Sequence, residues 1–235
     1  MPTEIAIPGT HAKVLKWVRK LDAGPRVLDI GAGHGALSEG LAELGKDVAA
    51  CDVLPQLFQA PDIECRPIDP ERGELPFDDA SFDMAFAVEV VEHIDGHMKL
   101  FAEVSRVLRP GGTFIFTTPN ILSLKSRLRF LMTGYYYSFG PLEVGVLDPV
   151  HQHLSPSNPD RYRWMLSQNQ LHLQELRTDK YQTSSMMLWP LLGLPAWVYS
   201  RVTMGDVTGA QLHRSAAATL GRKLMVRSVK MNQAE

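Results

Sequence analysis

The chain alternates short apolar runs with stretches whose apolar residues recur every three or four positions, and this alternation sets the expected elements. Between Thr10 and Gly24, the residues Val14, Trp17, Val18 and Leu21 share one helical stripe, with Thr10 placed to cap its start and Gly24 its end. Arg26-Val27-Leu28-Asp29-Ile30 reads as a buried strand. A glycine turn follows, then Leu37, Leu41 and Leu44 form the apolar face of a helix that stops at Gly45. Asp47 to Cys51 gives a second strand ending in Asp52, about twenty residues past the glycine turn, as in dinucleotide-type folds. One strand-helix-strand unit is thereby complete.

The pattern then repeats. Strands are expected near Glu64 to Ile68, at Phe82 to Val88 and at Thr113 to Thr118. The last two are separated by a helix in which Leu100, Val104, Val107 and Leu108 share a face, and Arg109-Pro110-Gly111-Gly112 breaks that helix. Pro119-Asn120 opens an irregular stretch reaching to about Ser157, with one basic helical piece at Leu124 to Phe130, a length that suits a lid. Asn158-Pro159 is a helix start for Asp160 to Gln168, and alternating segments near Leu171 to Leu176 and Lys223 to Val229 supply two more strands. The whole predicts an α/β fold: a doubly wound, mainly parallel seven-stranded sheet with helices on both faces and a lid inserted after the fifth strand.

Composition narrows the function classes. With 45% apolar residues in 235, the chain can bury one full core. Its 24 basic against 26 acidic residues, a net charge of −2, offer no broad positive field for a phosphate backbone and so disfavour nucleic acid as a partner. Cys51 and Cys65 lie inside apolar stretches, and the opening MPTEIAIPGT lacks a basic region followed by an apolar run; a cytoplasmic protein without a disulfide is expected. Tyr181 to Ser200 carries no charge, but Pro190, Gly193 and Pro195 interrupt it and argue against a spanning helix. Within it, Met186 to Tyr199 holds Trp189, Trp197 and Tyr199, a composition that suits a lid packed on the core or peripheral contact with the inner face of a membrane.

The candidate chemistry starts at Gly31-Ala32-Gly33-His34-Gly35, between a buried strand and an amphipathic helix, where glycines let backbone approach a ligand. The spacing lacks the third glycine position of the dinucleotide fingerprint, and Asp29 adds a carboxylate beside the loop that can meet an ammonium group. VLDIGAGHG, Val27 to Gly35, resembles the first motif of class I S-adenosylmethionine-dependent methyltransferases. The likeness continues through Asp52, Ile68-Asp69, Leu75-Pro76-Phe77 with Ser81-Phe82-Asp83, and Leu108-Arg109-Pro110-Gly111-Gly112, so that it covers Val27 to Asn120 in order. The resemblance implies S-adenosylmethionine as cofactor. Gly31, Gly33 and Gly35 would shape the methionine pocket, Asp52 would accept from the ribose hydroxyls and Asp69 from the adenine amine, with Asp29, Ala32, Val53 and Glu89 completing the set. On this reading 1–24 is an N-terminal helix, 25–120 the cofactor-binding half, 121–157 the acceptor insertion and 158–235 the rest of a single domain.

Methyl transfer from a sulfonium needs an aligned acceptor and, for a hydroxyl, help with its proton. Glu89-Val90-Val91-Glu92-His93 follows the fourth strand at the carboxyl edge of the sheet, and in helical conformation Glu89, Glu92 and His93 would share a face. E-x-x-E-H with a distant histidine resembles the ligand motif of metal-dependent small-RNA 2′-O-methyltransferases and ubiquinone-pathway O-methyltransferases. That likeness implies a divalent ion on Glu89, Glu92, His93 and His153, with His151 as the neighbouring alternative. Without a metal, His93, His151 and Glu89 are the catalytic candidates, a neutral histidine serving as base. Pro119 to Gly134 is loosely similar to bacterial methyltransferases of sugars, glycolipids and natural products, which makes Arg127, Arg129 and Tyr135 to Tyr137 acceptor contacts if they are not simply a solvated face. O-methylation of a small hydroxylated acceptor is expected; N- or C-methylation, and a non-catalytic scaffold that keeps the fold, stay open.

Overall fold

The protein is described here from a computed structural model, in which residues 6, 8–21, 23–68, 73–145 and 152–232 are placed. In chain order the elements are α1 (Thr10–Val18), β1 (Arg26–Ile30), α2 (Ala36–Glu43), β2 (Asp47–Asp52), β3 (Cys65–Pro67), β4 (Phe82–Val88), α3 (His97–Val107), β5 (Leu108–Pro119) and α4 (Leu124–Thr133). They continue with α5 (Pro159–Gln168), β6 (Leu171–Thr178), α6 (Thr183–Leu188), α7 (Leu194–Met204), α8 (Thr208–Arg214), α9 (Ala216–Leu220) and β7 (Lys223–Lys230).

Seven strands form one sheet in the order β3-β2-β1-β4-β5-β7-β6. β1 to β5 run parallel, whereas β7 is antiparallel to both of its neighbours, β5 and β6. The expected doubly wound α/β sheet is therefore present, with its order reversing between β1 and β4, where open sheets bind ligands.

The central strands are mostly apolar because both of their faces are covered. On β4, Met84 and Phe86 join a cluster with Val14, Trp17, Leu37 and Leu41 of α1 and α2. Phe82, Ala85 and Ala87 point into the opposite cluster with Phe101 and Tyr162 of α3 and α5. From Met84 onward period-two alternation divides the run between two cores, and Phe82 joins the Ala85 side across the register shift between Phe82 and Met84.

Some boundaries move. α1 ends at Val18, well before Gly24, and Thr10 is its first helical residue, with Gly9 in the preceding cap position. β5 begins at Leu108, ahead of the expected Thr113, because Leu108 still pairs with Phe82 and the turn through Gly111 is absorbed by a register shift. The basic piece after β5 is the helix α4, capped by Ser123, whose hydroxyl accepts from the Ser126 amide at 3.2 Å. Asn158 caps α5 as its position before Pro159 suggests, accepting from the Arg161 amide at 2.9 Å. The uncharged segment before β7 is helical: α6, a π-helical turn at Trp189–Gly193, then α7, with prolines near the first positions of the turn and of α7. Among the described residues no helix is long and apolar enough to cross a membrane. Cys51 and Cys65 are free thiols.

Candidate active site

The glycine turn leaves β1 at the carboxyl edge of the sheet. Gly31, Gly33 and Gly35 all take positive φ, and the Gly31 and Ala32 amides donate to the Cys51 carbonyl of β2 at 2.8 and 3.2 Å. A Cβ on Gly31 would lie 2.5 Å from Val90 Cγ2, and one on Gly35 would lie 2.7 Å from the Phe58 ring, so these positions exclude larger residues twice over, by conformation and by space.

Asp52 closes the turn. Its Oδ2 accepts from the Gly33 amide and its Oδ1 from the Leu54 amide, both at 2.8 Å, which fixes the carboxylate at the end of β2 with lone pairs left to receive vicinal hydroxyls. Val53 follows it, half-buried. Asp29 lies deeper, 2% exposed, and its Oδ2 accepts from Ser38 Oγ of α2 at 2.6 Å. Burial pushes its pKa up from 3.8 to about 7, the Ser38 bond opposing and the Asp52 charge reinforcing that rise. Asp29 therefore ties the strand to α2 instead of facing open cleft. Ile68 hydrogen-bonds to the Asp52 carbonyl at 2.9 Å, while Asp69 and His151 lie outside the described residues.

At the end of β4 the chain departs from the expected helix. Glu89 adopts a φ of +59, and only Val91–His93 turns, as a short 3₁₀ segment. Glu89 thus leaves the face it was expected to share with Glu92 and His93. Its carboxylate pairs with the Lys223 ammonium, which also donates to Thr10 Oγ1 at 3.1 Å, and accepts from Thr117 Oγ1 at 2.8 Å. This knot joins α1, β4, β5 and β7 at one edge. Sequence reading missed Lys223 and Thr117; the one available signal is a lysine at the mouth of an apolar alternating strand, where its ammonium must find a carboxylate.

Glu92, His93 and His153 converge instead. Their ligand atoms lie within 4.8 Å of one another. The segment preceding α5 folds back across the 3₁₀ turn, the amides of Leu154 and Ser155 donating to the Glu92 carbonyl at 2.8 and 3.2 Å. The histidine rings meet edge to face at 4.7 Å. His93 Nδ1 donates to the Gln152 carbonyl at 3.0 Å and His153 Nδ1 to the Ser138 carbonyl at 2.7 Å. Since a carbonyl only accepts, each Nδ1 carries the hydrogen and Nε2 of the neutral ring holds the lone pair. The Glu92 side chain is wholly buried, and neither of its oxygens has a hydrogen-bond partner among the described residues. Burial, with the nearby Glu89 charge adding to it, holds its pKa well above the usual carboxylate range. A buried carboxylate with no partner beside two oriented imidazoles fits a divalent cation; Glu89 does not join this group.

Comparison with known proteins follows the same lines. Residues 28–116 match the family described as methyltransferase domain. A ubiquinone biosynthesis O-methyltransferase of Xanthomonas campestris pv. campestris is 32% identical over 108 residues, covering 41% of this chain and 44% of that protein. A demethylmenaquinone methyltransferase of Tropheryma whipplei is 36% identical over 101 residues, covering 40% and 41%. The chain thus matches less than half the length of these relatives. The solved structure of an S-adenosylmethionine-dependent methyltransferase from Archaeoglobus fulgidus superimposes over 94% of this chain and 92% of its own, with a TM-score of 0.63 at 16% identity, a likeness of fold. The segment from β1 into β5 carries the match to the methyltransferase domain, and the likeness of fold to solved methyltransferase structures extends over nearly the whole chain.

Proposed function

We propose that the protein is an S-adenosylmethionine-dependent O-methyltransferase of a small hydroxylated acceptor, assisted by a divalent cation held by Glu92, His93 and His153. The observation that carries this reading is the fully buried, unpartnered Glu92 carboxylate beside two histidines whose Nδ1 atoms are tied to backbone carbonyls. The relatives named for ubiquinone and demethylmenaquinone favour a quinone precursor as acceptor.

S-adenosylmethionine would supply the methyl group of its sulfonium: an acceptor oxygen aligned behind the methyl carbon would form the new C–O bond as the C–S bond breaks, with S-adenosylhomocysteine as the leaving thioether. Gly31, Gly33 and Gly35 shape the methionine end of the pocket with Ala32 beside them, Asp52 and Val53 receive the ribose, and Asp69 the adenine. Asp29 stiffens the floor through Ser38, and Glu89, pinned by Lys223 and Thr117, sets the direction in which the chain enters the Glu92-His93 turn. A divalent cation, when bound, lowers the pKa of a coordinated hydroxyl. Glu92, His93 and His153 would hold such an ion beside the acceptor.

Chelation tests it. Methyl transfer to a catechol-type acceptor should fall to background after chelation and return with Mg²⁺ or Mn²⁺, and Glu92→Gln should abolish the return while leaving S-adenosylhomocysteine binding intact. Activity that survives chelation would overturn the metal and assign the proton to His93 or His151; an amine or carbon product would overturn O-methylation.

A further inference from the structure

α7 has the composition of a core helix and the exposure of a surface one. Of its eleven residues, Leu194–Met204, none is buried, and Tyr199 and Val202 are 70% and 79% exposed. A helix that is apolar nearly all round is stable only where something covers it. The exposure continues through the π-turn and α6 at Leu191 and Met187, 74% and 78% exposed, and reaches α4, which packs on both and bares Leu131 at 79%. The apolar surface is thus one platform built from two separate parts of the sequence, and its contiguous area marks an interaction site.

Its charge identifies the occupant. Residues 120–142 and 181–205 contain no Asp or Glu, in a chain whose net charge is −2, yet they carry Lys125, Arg127, Arg129 and Arg201. Lys125 and Arg129 stand over the Tyr137 ring at 3.8 and 5.8 Å and have no carboxylate partner among the described residues. Arg127 turns inward to the Leu122 carbonyl, and Arg201 pairs with Asp206. Apolar and aromatic side chains with the unpaired cations Lys125 and Arg129, and with acids only at the margins, at Glu143 and at Asp206, which Arg201 neutralises, match the interface of an anionic bilayer. We propose that α4, α6, the π-turn and α7 dock this protein on an anionic lipid bilayer, the apolar side chains entering the headgroup boundary and Lys125 and Arg129 meeting lipid phosphates. The chain that leaves α4 at Gly134 reaches Ser138, whose carbonyl holds His153, so the docked face and the candidate active site share one stretch of chain.

Docking is read with no methyl donor present, so it stands or falls apart from O-methylation. The full chain is sedimented with vesicles of phosphatidylcholine alone and of phosphatidylcholine mixed with phosphatidylglycerol. It should pellet with the mixed vesicles, stay largely in solution with the neutral ones, and be released by salt. Met187→Asp with Leu191→Asp should abolish pelleting. Lys125→Glu with Arg129→Glu should lower it at least about tenfold, each cation contributing about fivefold near the surface. Circular dichroism and S-adenosylhomocysteine binding, unchanged in both variants, show that they fold. Wild-type protein left in the supernatant with both vesicles overturns the proposal, as does pelleting indifferent to the aspartates. A dimer in sedimentation velocity that the aspartates dissociate, without vesicle binding, assigns the face to a second copy and overturns it too.

Discussion

Asp29 and Asp52 are two carboxylates on neighbouring strands with opposite tasks, and their surroundings decide which does which. Asp29, buried and raised to about 7, stays protonated in the folded chain at pH values where the unfolded chain has already ionised it. The folded state then binds the extra proton, so stability falls as pH rises from about 4 to about 7 and levels off above. Urea denaturation across that range should show the decline, and Asp29→Asn, which keeps an acceptor for Ser38, should flatten it. Asp52 accepts from the Gly33 and Leu54 amides, and the ribose role proposed for it rests on its remaining lone pairs. Asp52→Ala should weaken S-adenosylhomocysteine binding by about 1–3 kcal/mol in calorimetry, with Asp52→Asn losing less, and unchanged affinity would remove Asp52 from the ribose. Gly31→Ala forces a side chain into positive φ and against Val90, so the urea midpoint should drop by the equivalent of about 1–3 kcal/mol; adding Val90→Ala should recover only the steric part.

Among the elements, the antiparallel β7 connects most to the site, through Lys223. Its side chain is 2% exposed, and the Glu89 it neutralises is itself mostly buried. Lys223→Met strands that carboxylate, and denaturation should show a loss of about 3–5 kcal/mol. Glu89→Gln in the same chain should cost less than the sum of the two single changes, because the orphaned charge is gone. Elements of this kind also mark what a sequence discloses. Phe82–Val88 was legible to the residue because a strand covered on both faces is apolar nearly throughout, with Asp83 alone interrupting the run, and α5 because Asn158-Pro159 fixes its first turn. The helices from α6 to α9 were not, since prolines and glycine read as interruptions while tertiary packing tolerates them at helix starts and in a π-turn. At the site, the convergence of Glu92 and His93 with His153 was anticipated from a motif, whereas the turning away of Glu89 depends on one φ and on a lysine 134 residues distant, and neither leaves a local trace.

The molecule as a whole is held shut by late pairings. β7 lies between β5 and β6 and supplies hydrogen bonds to both, so a chain cut before Lys223 should lose β6 from the sheet, fail to bind S-adenosylhomocysteine and yield quickly to limited proteolysis. Lys223 also reaches Thr10 across 213 residues of sequence. During synthesis the other six strands leave the ribosome first, and β6 must wait with its ladder groups unpaired, an edge open to chaperones and to aggregation alike. The order of translation thereby becomes a checkpoint: the nascent protein can form its glycine turn early, but Glu89 receives its counter-ion only after the seventh strand has emerged. Premature termination anywhere upstream of that strand would release a polypeptide marked for degradation rather than a partly active enzyme.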